Sequence, residues 1–138
     1  MKRTAKAHWT GNLKEGKGEL NTPSGILNHA NYSFKTRFTG EETGTNPEEL
    51  LAAAHAGCFT MAVSAALTEK GLNPIALTTE ATVQMEGLSI TAVHLQITGS
   101  VDGINTDEFE AVTKNAEKNC LISKVLNIKI SSEAHLIS

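Results

Sequence analysis

The stretch GTNPEELLAAAHAGCF, residues 44–59, marks the start of a long helix around which the rest of the chain is organised. Asn46 is a favoured helix-capping residue, Pro47 suits the first helical position, and Glu49 falls where a capping box needs a carboxylate. The run that follows is apolar on almost every side, with small residues that allow close approach. We therefore predict a buried helix from 47 to about 70.

Short strands are predicted on both sides of this helix. Before it, turns alternate with three strands, at 4–9, 17–20 and 32–38. In the last of these, strand alternation would point Arg37 away from Phe34 and Phe38. After it come an antiparallel strand pair at 77–85 and 90–101, a second helix at 105–118 capped by Asn105, and a last strand at 128–136. This order predicts an α+β fold and a single domain over 1–138.

The bulk composition excludes several classes of protein. The chain has 138 residues and a formal charge of −3, so it lacks the broad positive field that nucleic-acid binding requires. It contains no apolar leader and no uninterrupted run of 18 apolar residues, and we expect a cytoplasmic protein without a membrane partner. Two cysteines are too few for the disulfide framework of a secreted domain.

The two cysteines are candidates for redox chemistry. Cys58 lies in the middle of the predicted long helix, where a small buried residue and a reactive thiol fit the pattern equally well. Cys120 begins an apolar turn after the second helix, where backbone dipoles at a helix start favour a thiolate. The spacing alone leaves open whether the two residues meet.

Two further residues share the long helix with Cys58. His55 lies one turn before it and could accept its proton, although a core histidine fits the same position. Glu48 lies ten residues before Cys58, about 15 Å along a straight helix, so a kink or a second copy of the chain is needed to bring them together. His55 and Cys58 supply at most two metal ligands, and we expect no metal site.

At these residues the sequence resembles a known family. Residues 44–59 are similar to the hallmark segment of the osmotically inducible protein and organic hydroperoxide resistance (OsmC/Ohr) family. RFTGE at 37–41, NCLISKVL at 119–126 and HWTGNLKEGKG at 8–18 also match it in order. The resemblance thus extends over essentially the whole chain and is strongest to the OsmC branch.

The resemblance implies a fold and an activity. The fold is an intertwined homodimer in which antiparallel sheets wrap around two central helices, with active sites at the subunit interface. The activity is the reduction of organic hydroperoxides to alcohols without a cofactor. Its reductant is an external dithiol, typically a lipoylated protein in the hydroperoxide resistance branch.

The resemblance also implies roles for four residues. Cys58 is the peroxidatic cysteine, and Cys120 is the resolving cysteine that forms a disulfide with it. Arg37 would stabilise the Cys58 thiolate and the peroxide, because a nearby guanidinium lowers a thiol pKa. Glu48, expected from the partner subunit, would orient Arg37 through a bidentate contact. For the apolar wall of the peroxide pocket we expect Phe59, Met61, Phe34 and Phe38.

Two departures from the family and two rival functions remain open. Leu121 follows Cys120 where the family commonly has proline, and Gly57 precedes Cys58 where alanine is usual. The first rival is a non-enzymatic, stress-associated binding protein of the same fold whose thiols are structural. The second is a thiol hydrolase that uses Cys58 and His55.

Overall fold

The computed structural model describes residues 1–137. The chain forms two compact units, Met1–Leu50 and a second that begins at Leu51. Each unit has its own three-stranded sheet. The single domain expected over 1–138 stays a prediction.

The first unit is built on an antiparallel sheet of three short strands, in the order β1 (Lys6–Thr10), β2 (Lys17–Asn21) and β3 (Ala30–Tyr32). Gly18 of the middle strand pairs with Trp9 on one side and Tyr32 on the other. A Cβ atom at Gly18 would clash with the rings of both Tyr32 and Trp9. Glycine therefore lets the two rings approach each other across β2, with their centroids 5.6 Å apart.

The strand predicted at 32–38 is wrong beyond Tyr32. Residues Lys35–Thr39 form a π-helical turn, here called the π-turn, which ends at Gly40 with a φ of 70°. The Thr36 hydroxyl accepts from the Ser33 N–H at 2.7 Å and donates to the Ser33 carbonyl at 3.1 Å. These local hydrogen bonds compete with strand pairing and close the turn.

The same segment corrects the predicted direction of Arg37. Phe34 and Phe38 are four residues apart, a spacing that puts side chains on one face of a strand and also side by side on a helical turn. Their ring centroids are 5.0 Å apart. The Arg37 guanidinium carbon lies 5.1 Å from the centroid of the Phe38 ring rather than pointing away from it.

The long helix α1 (Pro47–Glu69) has the predicted bounds. The Asn46 Oδ1 accepts from the Glu49 N–H at 2.7 Å, as the predicted cap requires. The Glu49 carboxylate accepts from the Thr45 hydroxyl at 2.8 Å. Gly71, with a φ of 78°, follows the end of the helix in the left-handed conformation that favours glycine.

Only one face of α1 is buried in the single chain. The buried face repeats every four residues, at His55, Phe59, Val63 and Leu67. The opposite face is exposed, and its apolar part consists of Ala53, Ala54, Gly57, Met61 and Ala65. The prediction of burial on nearly every side is therefore wrong for one chain alone.

By length and composition, α1 is also long and apolar enough to cross a membrane. One such helix is weak evidence, because core helices of soluble proteins have the same length and composition.

The second unit contains a mixed sheet in the order β4 (Pro74–Glu86), β5 (Ser89–Val101) and β6 (Lys129–Leu136). The predicted antiparallel pairing of β4 with β5 is confirmed. β6 runs parallel to β5, whereas the family resemblance implied antiparallel sheets. The reason is the crossover through α2 (Thr106–Asn119) and α3 (Leu121–Val125), which returns the chain in the direction of β5.

The core of the second unit joins α1, β5 and α2 and reaches one of the cysteines. The predicted capping box at the start of α2 is present, with Asn105 and Glu108 each accepting from the other's N–H. The buried apolar side chains are Phe59, Val63, Leu67, Val93, Leu95, Ile97, Val101, Phe109, Val112, Ala116 and Cys120. Helices and sheets together confirm the α+β class.

Candidate active site

The structure brings the two cysteines together. Cys58 is half-buried on α1, and Cys120 is buried at the junction of α2 and α3. Both are free thiols. The Cys120 side chain is close enough to Cys58 to lower the pKa of its thiol. Residues 62 positions apart in the sequence therefore form a thiol pair.

The surroundings of Cys58 favour its thiolate form. Burial acts to raise the pKa of the Cys58 thiol. Hydrogen bonds from the Ile122 backbone, the Cys120 side chain and the Leu121 backbone act in the opposite direction, and the pKa is lowered overall. The thiolate is the nucleophilic form of cysteine, so this arrangement suits attack on an electrophile.

The bend at Cys120 explains why two backbone N–H groups are available to Cys58. The Cys120 N–H donates to the Ala116 carbonyl at 2.9 Å, which closes α2, and the Cys120 carbonyl accepts from the Lys124 N–H at 3.1 Å, which opens α3. The first N–H groups of a helix have no acceptor within it. Those of Leu121 and Ile122 therefore remain free to bind the sulfur.

The structure pairs His55 with Ser123 and shows no hydrogen bond from its ring to Cys58. Its ring is fully buried. Its Nε2 is hydrogen-bonded to the Ser123 hydroxyl on α3 at 2.8 Å. Burial lowers the pKa of His55, which favours the neutral imidazole.

In the first unit, Arg37 and Glu48 form a bidentate ion pair. Arg37 Nε lies 2.9 Å from Glu48 Oε1 and 3.2 Å from Oε2, and Arg37 Nη2 lies 2.6 Å from Oε1. Hydrogen bonding from Arg37 lowers the pKa of Glu48, although burial opposes this. Glu48 is thus held as a carboxylate that fixes the plane of the guanidinium.

This pair lies within one chain, whereas we expected Glu48 to reach Arg37 from the partner subunit. Glu48 is in the first turn of α1 and Arg37 is in the π-turn eleven residues earlier. Because the predicted strand ends at Tyr32, the chain folds back early enough for Arg37 to reach Glu48 without a second copy.

A cavity of about 310 Å³ lies beside Arg37 in the first unit. Its lining is mostly apolar and aromatic: Trp9, Leu13, Tyr32, Ser33, Phe34, Arg37, Phe38 and Pro47. Two of the four expected apolar wall residues, Phe34 and Phe38, line it. Phe59 instead belongs to the core of the second unit, and Met61 lies on the exposed face of α1.

Among residues 1–137, no group of three or more His, Cys, Asp or Glu side chains is arranged to hold a metal ion.

Comparison with known proteins places the chain in a family. The family model described as OsmC-like protein matches residues 40–133. The chain belongs to the OsmC-like family. It is 42% identical to Peroxiredoxin OsmC of Escherichia coli (strain K12), over 99% of this chain and 97% of that protein.

More distant relatives agree with this assignment. The OsmC-like chain is 35% identical to the organic hydroperoxide resistance protein OhrA of Bacillus subtilis (strain 168), over 67% of this chain and 68% of that protein. An OsmC-like protein from Mycoplasma pneumoniae, 14% identical, superimposes with a TM-score of 0.76 and covers 100% of this chain and 99% of that one. At that identity the likeness concerns the fold alone.

Sequence reasoning missed several groups that this OsmC-like protein places around the thiols and Arg37. The N–H groups of Leu121 and Ile122 leave no mark in the side-chain pattern, since any residue except proline supplies them. Ser123 could have been singled out only as a polar residue within the apolar run 121–126. Trp9 and Tyr32 were assigned to strands without a role at the site.

Proposed function

We propose that this protein is a thiol-dependent peroxidase that reduces organic hydroperoxides to alcohols. The Cys58 thiolate attacks the distal oxygen of the hydroperoxide, the O–O bond breaks, and the alkoxide leaves as the alcohol after taking up a proton. Cys58 becomes a sulfenic acid. The Cys120 thiol then attacks the Cys58 sulfur, which releases water and forms the disulfide, and an external dithiol reduces that disulfide by exchange.

The observation that carries this proposal is the thiol pair itself. Cys58 has a lowered pKa, is only half-buried and has the Cys120 side chain as a neighbour that contributes to that lowering. A cysteine is suited to peroxide attack followed by disulfide formation when its thiol pKa is low, when solvent can reach its sulfur and when a second thiol lies next to it. A purely structural cysteine in an apolar core would have a raised pKa instead.

The proposed substrate class is supported by the cavity beside Arg37. A mostly apolar space of about 310 Å³ suits an alkyl or aryl group better than the small, polar hydrogen peroxide. The names of two relatives, a peroxiredoxin and an organic hydroperoxide resistance protein, agree with this chemistry.

We further propose that the active protein is a homodimer. The exposed face of α1 (Ala53, Ala54, Gly57, Met61 and Ala65) is apolar and continuous, and a second copy of the same face would bury it. In this dimer Arg37, oriented by Glu48, would stabilise the thiolate and bind the peroxide at the subunit interface. The reductant is a dithiol, for which a lipoylated protein is typical in the hydroperoxide resistance branch, and the compartment is the cytoplasm.

Turnover of an organic hydroperoxide with dithiothreitol as the reductant tests the proposal. We expect Cys58→Ser to lose turnover by at least a thousandfold, because the attacking sulfur is gone. Cys120→Ser is the matched control, since it removes the same atom type but leaves the first step intact. It should consume one equivalent of hydroperoxide rapidly. Wild-type turnover in Cys58→Ser would contradict the assignment.

The two rival functions make different predictions. A thiol hydrolase would need His55 to take the proton of Cys58, but its Nε2 is engaged with Ser123. It would cleave esters without a reductant and lose that activity in His55→Ala. A non-enzymatic protein would have thiols that stay inert to hydroperoxide until the chain is denatured.

A further inference from the structure

The hydrogen bond between His55 and Ser123 forms a second link beside the thiol pair. His55 lies three residues before Cys58 on α1, and Ser123 lies three residues after Cys120 on α3. The two helices are therefore joined at two neighbouring points, by Cys58 with Cys120 and by His55 with Ser123 at 2.8 Å.

α3 needs such a link because its own packing is slight. It is a five-residue helix without a buried residue. Leu121 is 69% exposed and Val125 is 75% exposed, so apolar burial holds it weakly. Ile122 is its partly buried contact with the core.

The histidine also has a feature that packing does not explain. Among residues 1–137, His55 Nδ1 is the buried side-chain nitrogen or oxygen that finds no hydrogen-bond partner. An unpartnered buried polar atom destabilises a fold, and an apolar side chain of similar shape would avoid that cost. The chain thus keeps a polar ring at a position where stability alone favours an apolar one.

Building on the proposed peroxidase function, we propose that His55 and Ser123 are positioning residues. Their hydrogen bond, here called the latch, holds α3 against α1 so that the N–H groups of Leu121 and Ile122 stay on the Cys58 sulfur. The latch acts through these two N–H groups and touches neither the peroxide nor the reacting sulfur. It sets how much of Cys58 is thiolate, and it keeps Cys120 in place for the second step.

The test is the pH dependence of Cys58 alkylation by iodoacetamide in the full-length, reduced protein, with the modified residue identified by peptide mass spectrometry. Ser123→Ala removes the latch at a partly exposed site and should leave the fold intact. We expect its Cys58 titration to move upward by about one pH unit, because two hydrogen bonds to the thiolate are weakened. Amide hydrogen exchange at Leu121 and Ile122 should become faster.

Three controls separate positioning from a merely structural role. Ser123→Thr keeps a hydroxyl and should restore the wild-type titration. Thr68→Ala removes a hydroxyl that bonds only the Ser64 carbonyl within α1, and it should leave the titration unchanged. His55→Phe fills the core without the latch, and it should shift the titration as Ser123→Ala does. The double variant His55→Phe/Ser123→Ala should shift the Cys58 titration no further than either single variant, since both substitutions remove the same hydrogen bond.

The outcomes distinguish this inference from the function on which it rests. If wild-type Cys58 titrates at a lower pH than an ordinary thiol and Cys58 of Ser123→Ala titrates at the same pH, the latch is overturned. The proposed peroxidase function is then unaffected. A wild-type Cys58 that titrates like an ordinary thiol would overturn both. Loss of thermal stability in His55→Phe without any shift of the titration would show a structural histidine and would also overturn the latch.

Discussion

At Cys58, burial and hydrogen bonding act on the thiol in opposite directions. Burial raises the pKa, and hydrogen bonds from two backbone N–H groups and from Cys120 lower it further than burial raises it. In the proposed dimer Arg37 would add to this lowering. The backbone contribution matters for mutagenesis, because backbone donors survive most side-chain substitutions.

The Arg37–Glu48 pair makes a prediction about stability and pH. The pKa of Glu48 is lowered below its ordinary value of 4.5 in the folded chain. The ion pair therefore stabilises the fold above that value and stops doing so as the pH falls through the lowered pKa. We expect Glu48→Gln to cost about 1 kcal/mol at neutral pH, a figure reduced for the solvent exposure of Arg37.

Urea unfolding at neutral and at acidic pH measures this effect. Wild type and Glu48→Gln should differ at neutral pH and converge in acid, after Glu48 is protonated. Glu49→Gln is the matched control, since Glu49 is exposed and its carboxylate accepts from the Thr45 hydroxyl rather than from an arginine. Equal urea midpoints for wild type and Glu48→Gln at neutral pH would contradict the assignment.

Among the secondary-structure elements, those with strong local signals were predictable. The bounds of α1 follow from Asn46, Pro47 and Gly71, and the start of α2 follows from Asn105 and Glu108. The π-turn was not predictable from alternation, because Phe34 and Phe38 fit a strand and a helical turn equally well. Hydrogen bonds between Ser33 and Thr36 decide between the two.

The cap of α1 is expected to matter for the site as well as for the helix. Asn46→Ala removes the acceptor of the Glu49 N–H and should destabilise the fold by about 1 kcal/mol. Fraying of the first turn should also loosen Glu48 from Arg37. Asn46→Ser keeps a capping oxygen and should retain most of the stability that Asn46→Ala loses. Thermal unfolding of the three proteins measures this, and an unchanged midpoint in Asn46→Ala would argue against the cap.

On the scale of the whole molecule, the unburied face of α1 predicts the homodimer. Met61, 75% exposed in the single chain, lies on this face. We expect Met61→Lys to weaken the dimer, because an ammonium group would have to be buried in an apolar interface. Light scattering coupled to size-exclusion chromatography measures the mass.

Leu88→Lys is the matched control for the dimer. Leu88 is 93% exposed in the turn between β4 and β5, and the same substitution there should leave the mass unchanged. A wild-type protein that elutes as a monomer at micromolar concentration would contradict the proposed homodimer.

The sequence and the structure contribute differently to the candidate site. Cys58, Cys120 and Glu48 stand out in the sequence itself, and their roles, with that of Arg37, come from the family resemblance. The meeting of Cys58 and Cys120 depends on the crossover through α2 and α3, which no local pattern specifies. Ser123 matters through one tertiary contact with His55, and such contacts leave no periodic signal in a single sequence.

Mass spectrometry of the reduced protein, before and after one equivalent of cumene hydroperoxide, tests the central claim most directly. The account predicts a loss of two hydrogen atoms, with a Cys58–Cys120 disulfide in the peptide map. A gain of one or more oxygen atoms would mean that Cys120 does not resolve the sulfenic acid. An unchanged mass would contradict the proposal that Cys58 is a peroxidatic cysteine.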